Sequence, residues 1–443
     1  MQQIQVGLLG LGNVGSGVVQ MLEQQMALIT QRLGAHLTLK KVATRTPDRP
    51  RAVTLPAGQL SGDVMDVLRD PEIAIVIELI GGYEPARTYI LEALQQGKHV
   101  VTGNKAVLAQ HGQELFETAR AHGVDIGFEA SVGGGLPIIR TIKEAFVANQ
   151  FVAIAGIING TTNYILSRMS DQGLGFEEAL KEAQDLGFAE ADPSFDIEGI
   201  DAAQKIALLA SLAYGTWVRQ EDVYTEGITQ VTQVDIAYAQ ELGYCVKLLA
   251  LAKREGNRLG VRVHPALVAA GAELASVQGS YNAVSVTGDM VGRSLLIGHG
   301  AGALPTGSAV VGDVVDVARN VLKSSSGRVP PQGYATLAES ELQLQDIDDI
   351  TCRYYLRFPV LDQPGVLSAI AGILGEQDIS IETVIQKGHS EDQSDTVSVV
   401  MMTHKAKEKA ICQALEAIQT LPHVQGETMR IRVEDSGADE SLP

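Results

Sequence analysis

Residues 4–15 read IQVGLLGLGNVG, and this stretch decides the fold. A short apolar run, 4–10, has the pattern of a buried strand. It enters Gly10-Leu11-Gly12-Asn13-Val14-Gly15, after which apolar residues recur at helical spacing as far as Leu33. The order is therefore strand, glycine turn, helix. In that context GxGxxG gives a tight turn, lets the backbone approach a pyrophosphate, and aims a helix N-terminus at its charge. Gly10, Gly12, Asn13, Val14 and Gly15 are the candidate dinucleotide contacts; the alternative is a tight turn and nothing more. The next strand, HLTLKKVA at 36–43, ends in Thr44 and Arg45. An NAD-preferring site usually offers a carboxylate here, whereas Arg45 suits a 2′-phosphate and hence NADP(H), with NAD(H) as the second choice. The plain alternative is a solvated loop arginine.

Working outward, IAIVIELI (73–80) and HVVTG (99–103) read as further strands, with the helical pattern TYILEALQQG between them. Strands alternating with helices predict a parallel sheet covered on both faces, an α/β Rossmann domain over residues 1–130. From Phe128 the texture changes to glycine-dense EASVGGGLPIIRTIKEAF, strand-like VAIAGIINGTTNYIL and helical EEALKEAQDLG. These open a second, α+β domain over 131–323. Its glycine-rich end, LIGHGAGALPTGSAVVGDVVDVARNVL, carries a helix expected to pack back on the first domain. Residues 324–350 mix Ser, Gly, Pro and acidic residues without an apolar period and read as a linker. A third domain is expected over 351–435: RYYLRFPV as strand, DQPG as turn, VLSAIAGILGEQ as helix and ISIETVIQ as strand.

The 443 residues carry 34 basic and 53 acidic side chains, a net charge of −19 that would repel phosphate backbones and anionic lipid. Nucleic-acid and membrane partners are thus poor expectations. Cys245, Cys352 and Cys412 are widely spaced with no CxxC, which indicates neither a disulfide framework nor a zinc cluster and suits a reducing cytoplasm. No basic leader precedes the first apolar run, and no apolar stretch approaches the roughly 18 residues needed to span a bilayer.

Three further groupings bear on chemistry. Thr102-Gly103-Asn104-Lys105 follows a parallel strand, at the end that faces the ligand crevice. Lys105 there would hold a cofactor or polarise a substrate oxygen, or be a surface lysine. The segment GFAEADPSFD (187–196) leads to Asp201 and Lys205, four apart on one helix face. They form either a surface ion pair or, because the following IALLASLAYG is apolar nearly all round, a buried lysine able to exchange a proton near neutrality. Finally, Glu129 precedes Val132-Gly133-Gly134-Gly135-Leu136. If that segment is extended, the carbonyls of Val132, Gly134 and Leu136 point one way and converge with the carboxylate on a hard cation. A glycine hinge is the other reading.

Together and in this order, GLGNVG, ELIGG (78–82), VTGNKAVLA, EASVGGGLPII, GIINGTTNYIL, GFAEADPSFDIEGIDAAQK and GAGALPTGSAVVGD resemble homoserine dehydrogenases of the kind with a C-terminal ACT domain. The resemblance covers nearly the whole chain. It implies a Rossmann domain, an α+β catalytic and dimerisation domain, and a ferredoxin-like ACT module. It also implies NADPH-dependent interconversion of L-aspartate 4-semialdehyde and L-homoserine, on the route to threonine, methionine and isoleucine. Lys205 would be the proton donor and acceptor, with Lys105 between cofactor and substrate as the other candidate. Glu190 would bind the substrate amino acid, aided by Asp196 and Asp201, Gly302 would lie at the cofactor, and Na+ or K+ would sit on Glu129, Val132, Gly134 and Leu136. Asp362 and Gly365 match the ACT ligand loop, where threonine is the implied effector, while Asp378 stands where many ACT domains have Asn. A homodimer or homotetramer is implied, and deletion of 350–443 would be expected to abolish effector control and spare catalysis. Two rivals stand beside this reading: another Rossmann dehydrogenase with an ACT tail, resembling phosphoglycerate or prephenate dehydrogenases, which rely on a catalytic histidine, and a non-enzymatic nucleotide and amino-acid sensor.

Overall fold

The computed structural model describes residues 1–335, 342–387 and 396–435. Strands β1 (Gln3–Leu9), β2 (His36–Ala43), β3 (Leu60–Ser61), β4 (Ile73–Glu78), β5 (His99–Thr102) and β6 (Ile126–Gly127) form one sheet in the order β3-β2-β1-β4-β5-β6. Every pairing in it is parallel. The apolar runs that make β1 and β4 are buried almost throughout, as expected of strands covered on both faces. Strand order reverses between β1 and β4, and ligands of such sheets bind at the carboxyl ends beside that reversal.

The glycine turn lies there because only glycine fits. Gly10 has φ +98°, and a Cβ on it would sit 2.5 Å from the Leu79 carbonyl oxygen. A Cβ on Gly15 would sit 2.3 Å from the Gly10 carbonyl oxygen, so the following helix, Asn13–Gln24, packs directly over the turn. The helix Ala303–Lys323 returns to this sheet as expected: Val310, Val314, Val317 and Ala318, on one helical stripe, join Val18, Val19 and Leu22 in a single core.

This sheet belongs to a compact unit comprising Met1–Ile154, Ala202–Val223 and the described part of Tyr281–Glu341. It also holds the antiparallel hairpin of Tyr281–Gly288 with Gly292–His299. A second compact unit comprises Ala155–Asp201, Tyr224–Ser280 and the described part of Leu342–Pro443. Its long hairpin, β7 (Tyr244–Glu255) with β8 (Arg258–Ala269), continues into β9 (Thr351–Leu361), β10 (Ile381–Gln386), β11 (Thr396–Thr403) and β12 (Met429–Glu434) in the order β7-β8-β12-β9-β11-β10. The last four strands, with helices Val366–Glu376 and Glu408–Gln419, have βαββαβ connectivity around their own core, which includes Tyr354, Phe358, Ile370 and Ile411. Strand β12 pairs parallel with β8, Ala266 to Val268 lying against Arg432 to Glu434.

By contacts, the compact units cut across the expected boundaries: within 131–323, residues 155–201 and 224–280 group with the βαββαβ module, and the rest with the parallel sheet. The described part of 324–350, expected as a linker, makes specific contacts. The Tyr334 hydroxyl donates to the Ala213 carbonyl at 2.7 Å, and Gln343–Leu344 pairs with β8 at Arg258 and Leu259. Backbone pairing of short polar segments leaves no apolar period, so composition alone suggested a linker. Residues 336–341 of that segment, and 388–395 of the expected third domain, lie outside the described residues. Among the described residues no helix is long and apolar enough to cross a membrane, and the three cysteines form no disulfide.

Candidate active site

In the first unit the N-terminus of helix Asn13–Gln24 has Gly12 as its cap, and no side chain satisfies its leading N–H groups. The Cβ side of Gly12 is open space. The cavity beside it measures about 730 Å³, within the roughly 300–1,000 Å³ usual for ligand sites, and is lined by Gly10, Gly12, Asn13, Arg45, Arg49 and Tyr89, among others. Free N–H groups, an unobstructed glycine and basic side chains suit a pyrophosphate and a phosphorylated ribose. No carboxylate follows β2; Arg45 is exposed at the rim. Sequence reasoning passed over Arg51. Its guanidinium donates to the carbonyls of Leu11 (3.0 Å), Thr46 (2.6 Å) and Arg49 (2.7 Å), stitching the 44–51 loop to the glycine turn. Gly302, φ +123°, caps helix Ala303–Lys323, and Ala303 approaches Gly17 so closely that a Cβ on Gly17 would meet its carbonyl oxygen at 2.2 Å.

At the ends of β4 and β5 the fully buried Glu78 organises the turn that carries Lys105. Its carboxylate accepts from the Thr102 hydroxyl (2.6 Å) and the Ile80 amide (2.7 Å). Asn104 donates to the Gly82 carbonyl (2.8 Å) and caps the helix Lys105–Ala121 through the Val107 amide, which makes Lys105 the first helical residue. Burial pushes the Glu78 carboxyl above its ordinary range. This residue too was missed, although a lone carboxylate closing an apolar strand was a visible signal. Lys205, 9% exposed, and Asp201, 5% exposed, are both buried on the helix Ile200–Tyr214, so the surface ion pair is set aside.

In the second unit Asn159 caps the helix Gly160–Gln172, accepting from the Thr162 amide at 2.8 Å. Its side-chain nitrogen donates to Asp196 (2.7 Å) and Asp201 (2.8 Å), drawing the two expected carboxylates onto one amide. Asn159 lay within a quoted motif but had not been singled out. Thr161 donates to the Phe188 carbonyl (2.8 Å), anchoring the loop in which Glu190 is exposed. Two or three carboxylates of this kind make an acceptor patch for an ammonium group.

Glu129 is buried in the first unit. Its carboxylate accepts from the Ile139 (2.8 Å) and Arg140 (2.9 Å) amides, and its own amide donates to Asp313 (2.8 Å), which also takes the Arg140 guanidinium (3.0 Å). Burial, and then the charge of Asp313, push Glu129 up to about 7. The adjoining 132–136 segment is not extended: Gly133 and Gly134 have φ +74° and +54°, and the Leu136 amide turns back to the Gly133 carbonyl at 2.9 Å. Alternation therefore does not align the three carbonyls, because left-handed glycines fold the chain against the 298–302 loop, where a Cβ on Gly134 would meet the Gly300 carbonyl oxygen at 2.5 Å. The chemistry of the set still suits a cation. Among the described residues no hydrogen bond reaches the carbonyls of Val132 and Gly134, whereas that of Leu136 accepts from the Ile138 amide at 2.9 Å, and the Glu129 carboxylate is buried.

A nicotinamide-dependent oxidoreductase that carries a small-molecule-binding module is the class defined by this sheet, its open glycine turn and the βαββαβ fold. Comparison with known proteins narrows it. Residues 137–315 match the family Homoserine dehydrogenase, 10–129 its NAD binding domain, and 354–423 the ACT domain. Homoserine dehydrogenases of Pseudomonas aeruginosa (44% identical, covering 98% of this chain and 99% of theirs) and Bacillus subtilis (41%, covering 99% and 100%) are similar throughout. The crystal structure of a homoserine dehydrogenase from Thiobacillus denitrificans superposes with a TM-score of 0.92 at 46% identity, covering 98% of this chain and 99% of that one. That of the Staphylococcus aureus enzyme gives 0.76 at 31%, covering 98% and 99%. The chain belongs to the homoserine dehydrogenase family, oxidoreductases acting on a CH–OH group.

Proposed function

We propose that the protein interconverts L-aspartate 4-semialdehyde and L-homoserine with NADP(H) in preference to NAD(H), supplying threonine, methionine and isoleucine synthesis in the cytoplasm. The observation that carries the substrate reading is the pairing of Asp196 and Asp201 on Asn159, a fixed anionic patch suited to the ammonium of an amino acid. Glu190, exposed in the loop that Thr161 anchors, would add a third acceptor. The nicotinamide supplies hydride transfer to and from the carbon that bears the oxygen. Lys205 gives a proton to that oxygen on reduction and takes it back on oxidation, and its burial strengthens the stabilisation of developing negative charge. Lys105, at the N-terminus of its helix, orients cofactor and substrate and is the alternative proton carrier. Gly10, Gly12, Asn13, Val14 and Gly15 cradle the pyrophosphate, Arg45 takes the 2′-phosphate, and Gly302 borders the cofactor. Na+ or K+ would be held by Glu129 and the carbonyls of Val132, Gly134 and Leu136, ordering that loop.

The ACT module would bind an amino-acid effector, threonine on this reading, in a homodimer or homotetramer. Asp362 and Gly365 precede its first helix, and Asp378 has φ +57°, a conformation that Asn and Asp accept more readily than most residues. The decisive assay follows nicotinamide absorbance with L-homoserine and NADP+ or NAD+, with and without threonine. Homoserine-dependent reduction that is faster with NADP+ and slowed by threonine is expected. No reduction despite NADPH binding would overturn the reading in favour of another substrate or a sensor.

A further inference from the structure

In the second unit residues 226–235 form a strap whose two ends are held by the ACT module. At one end Glu226 accepts from Arg430 Nη2 (2.7 Å), Arg432 Nη1 (2.8 Å) and Nη2 (3.0 Å), and from the Tyr224 hydroxyl. Arg432, on β12 and 2% exposed, also grips Glu408 at 2.9 and 2.5 Å. At the other end Asp235, with no exposed surface, accepts from Arg357 Nε (2.6 Å) and Nη2 (3.1 Å) and from the Tyr355 hydroxyl (3.0 Å), both on β9.

Between these anchors the strap touches the acidic turn. The Glu226 amide donates to Val263 on β8 (2.8 Å), and the Ile228 amide donates to the Ile197 carbonyl (2.8 Å). A Cβ on Gly227 would lie 2.3 Å from that same Ile197 oxygen, so strap and turn are in closest backbone contact. Ile197 ends the turn Ser194–Ile197, next to Asp196, and Asn159 ties Asp196 to Asp201. Buried ion pairs of this kind add little net stability over apolar packing, but they allow one geometry where apolar surfaces would slide.

We infer that Glu226 is a positioning residue for the substrate-ammonium patch, fixing the strap to the ACT strand β12 so that Asp196 and Asp201 keep their spacing. This rests on the proposed binding of the substrate by those two carboxylates. The module then has a role in the unregulated reaction, and any shift of β12 reaches the patch through one hydrogen-bonded carbonyl.

The test uses the full-length protein and three variants: Glu226→Gln, Gly227→Ala and Asp196→Asn. Glu226→Gln keeps the side-chain shape but removes the charge, while Gly227→Ala presses on Ile197 without touching an arginine. Glu226→Gln and Gly227→Ala should each raise KM for L-homoserine about tenfold, with kcat and KM for NADP+ within about twofold of the parent, and Asp196→Asn should raise KM for L-homoserine at least as much. If Glu226→Gln does not fold, Gly227→Ala decides alone. Unchanged homoserine KM in the strap variants alongside a raised value in Asp196→Asn would overturn the inference, as would a parallel rise in both Michaelis constants, the mark of general loosening. An unchanged KM in Asp196→Asn would instead bring down the substrate reading itself, and the strap's role with it.

Discussion

On the proposed reading, Lys205 and Arg45 are the residues on which the chemistry and the cofactor choice turn. Replacing Lys205 with Ala should lower kcat by about 10²–10⁴-fold while NADPH still binds, since the amine acts on the substrate oxygen and not on the dinucleotide. Fluorescence titration beside the rate assay separates the two effects; near-parental turnover would remove Lys205 from the mechanism. Arg45→Asp should move the NADP+/NAD+ ratio of kcat/KM towards NAD+ by about tenfold or more, because a carboxylate suits a ribose hydroxyl and repels a 2′-phosphate. Arg51 is already engaged, its guanidinium held by the carbonyls of Leu11, Thr46 and Arg49. The placement of both lysines and Arg45, at the ends of strands and on the face of one helix, was legible in the sequence. Glu78, Arg51 and Asn159 were not singled out, and the reason is physical. Each has a partner distant in the chain, Thr102 lying 24 positions from Glu78, Leu11 lying 40 from Arg51 and Asp201 lying 42 from Asn159, and such pairs impose no period.

Among the elements, the strand, glycine turn and helix at the N-terminus were read correctly, and they make the sharpest test of the crevice. Gly15→Ala would place a Cβ against the Gly10 carbonyl oxygen, and backbone on both sides leaves no flexible atom to yield. NADPH affinity should fall by more than about tenfold while the rest of the fold survives, measured by titration and circular dichroism. Parental affinity would mean that the turn relaxes freely. Long periodic segments such as β1, β4 and helix Ala303–Lys323 announce themselves, whereas strands of two residues, Leu60–Ser61 and Gln343–Leu344, carry too few positions to show alternation. The 132–136 segment misled for a related reason: three consecutive glycines accept extended and left-handed backbone equally, so its carbonyl directions are set by the 298–302 loop and not by its own residues.

For the molecule as a whole, the third domain is bound into the second unit rather than appended to it. Removing residues 350–443 would strip Glu226 and Asp235 of their arginines and leave β8 without its parallel neighbour. The truncated chain should be largely insoluble or melt far below the parent, against the expectation from sequence that catalysis would survive; a soluble, active truncation would refute this. Acid should find the same joint. Burial alone would raise Glu226, but the hydrogen bond and charge of Arg432, then the charge of Arg430, hold it near 2, below the 4.5 of an unperturbed carboxyl. Its contribution is fully present above about pH 4.5 and is lost as pH falls towards 2, so Glu226→Gln should show a shallower loss of stability across that window in acid unfolding. Strand order and charge pairing between distant segments were beyond a linear reading, which found the modules but not their joinery. The joint also sets a schedule for synthesis. Strand β12 is the last described element in chain order, yet it lies inside its sheet between β8 and β9. A nascent chain must therefore carry β8 with that edge open for about 10–30 s at usual elongation rates. Chains released before β12 emerges keep an open strand edge and carboxylates without their arginines, a state that chaperones and proteases recognise, so the emergence of β12 is the checkpoint for this unit.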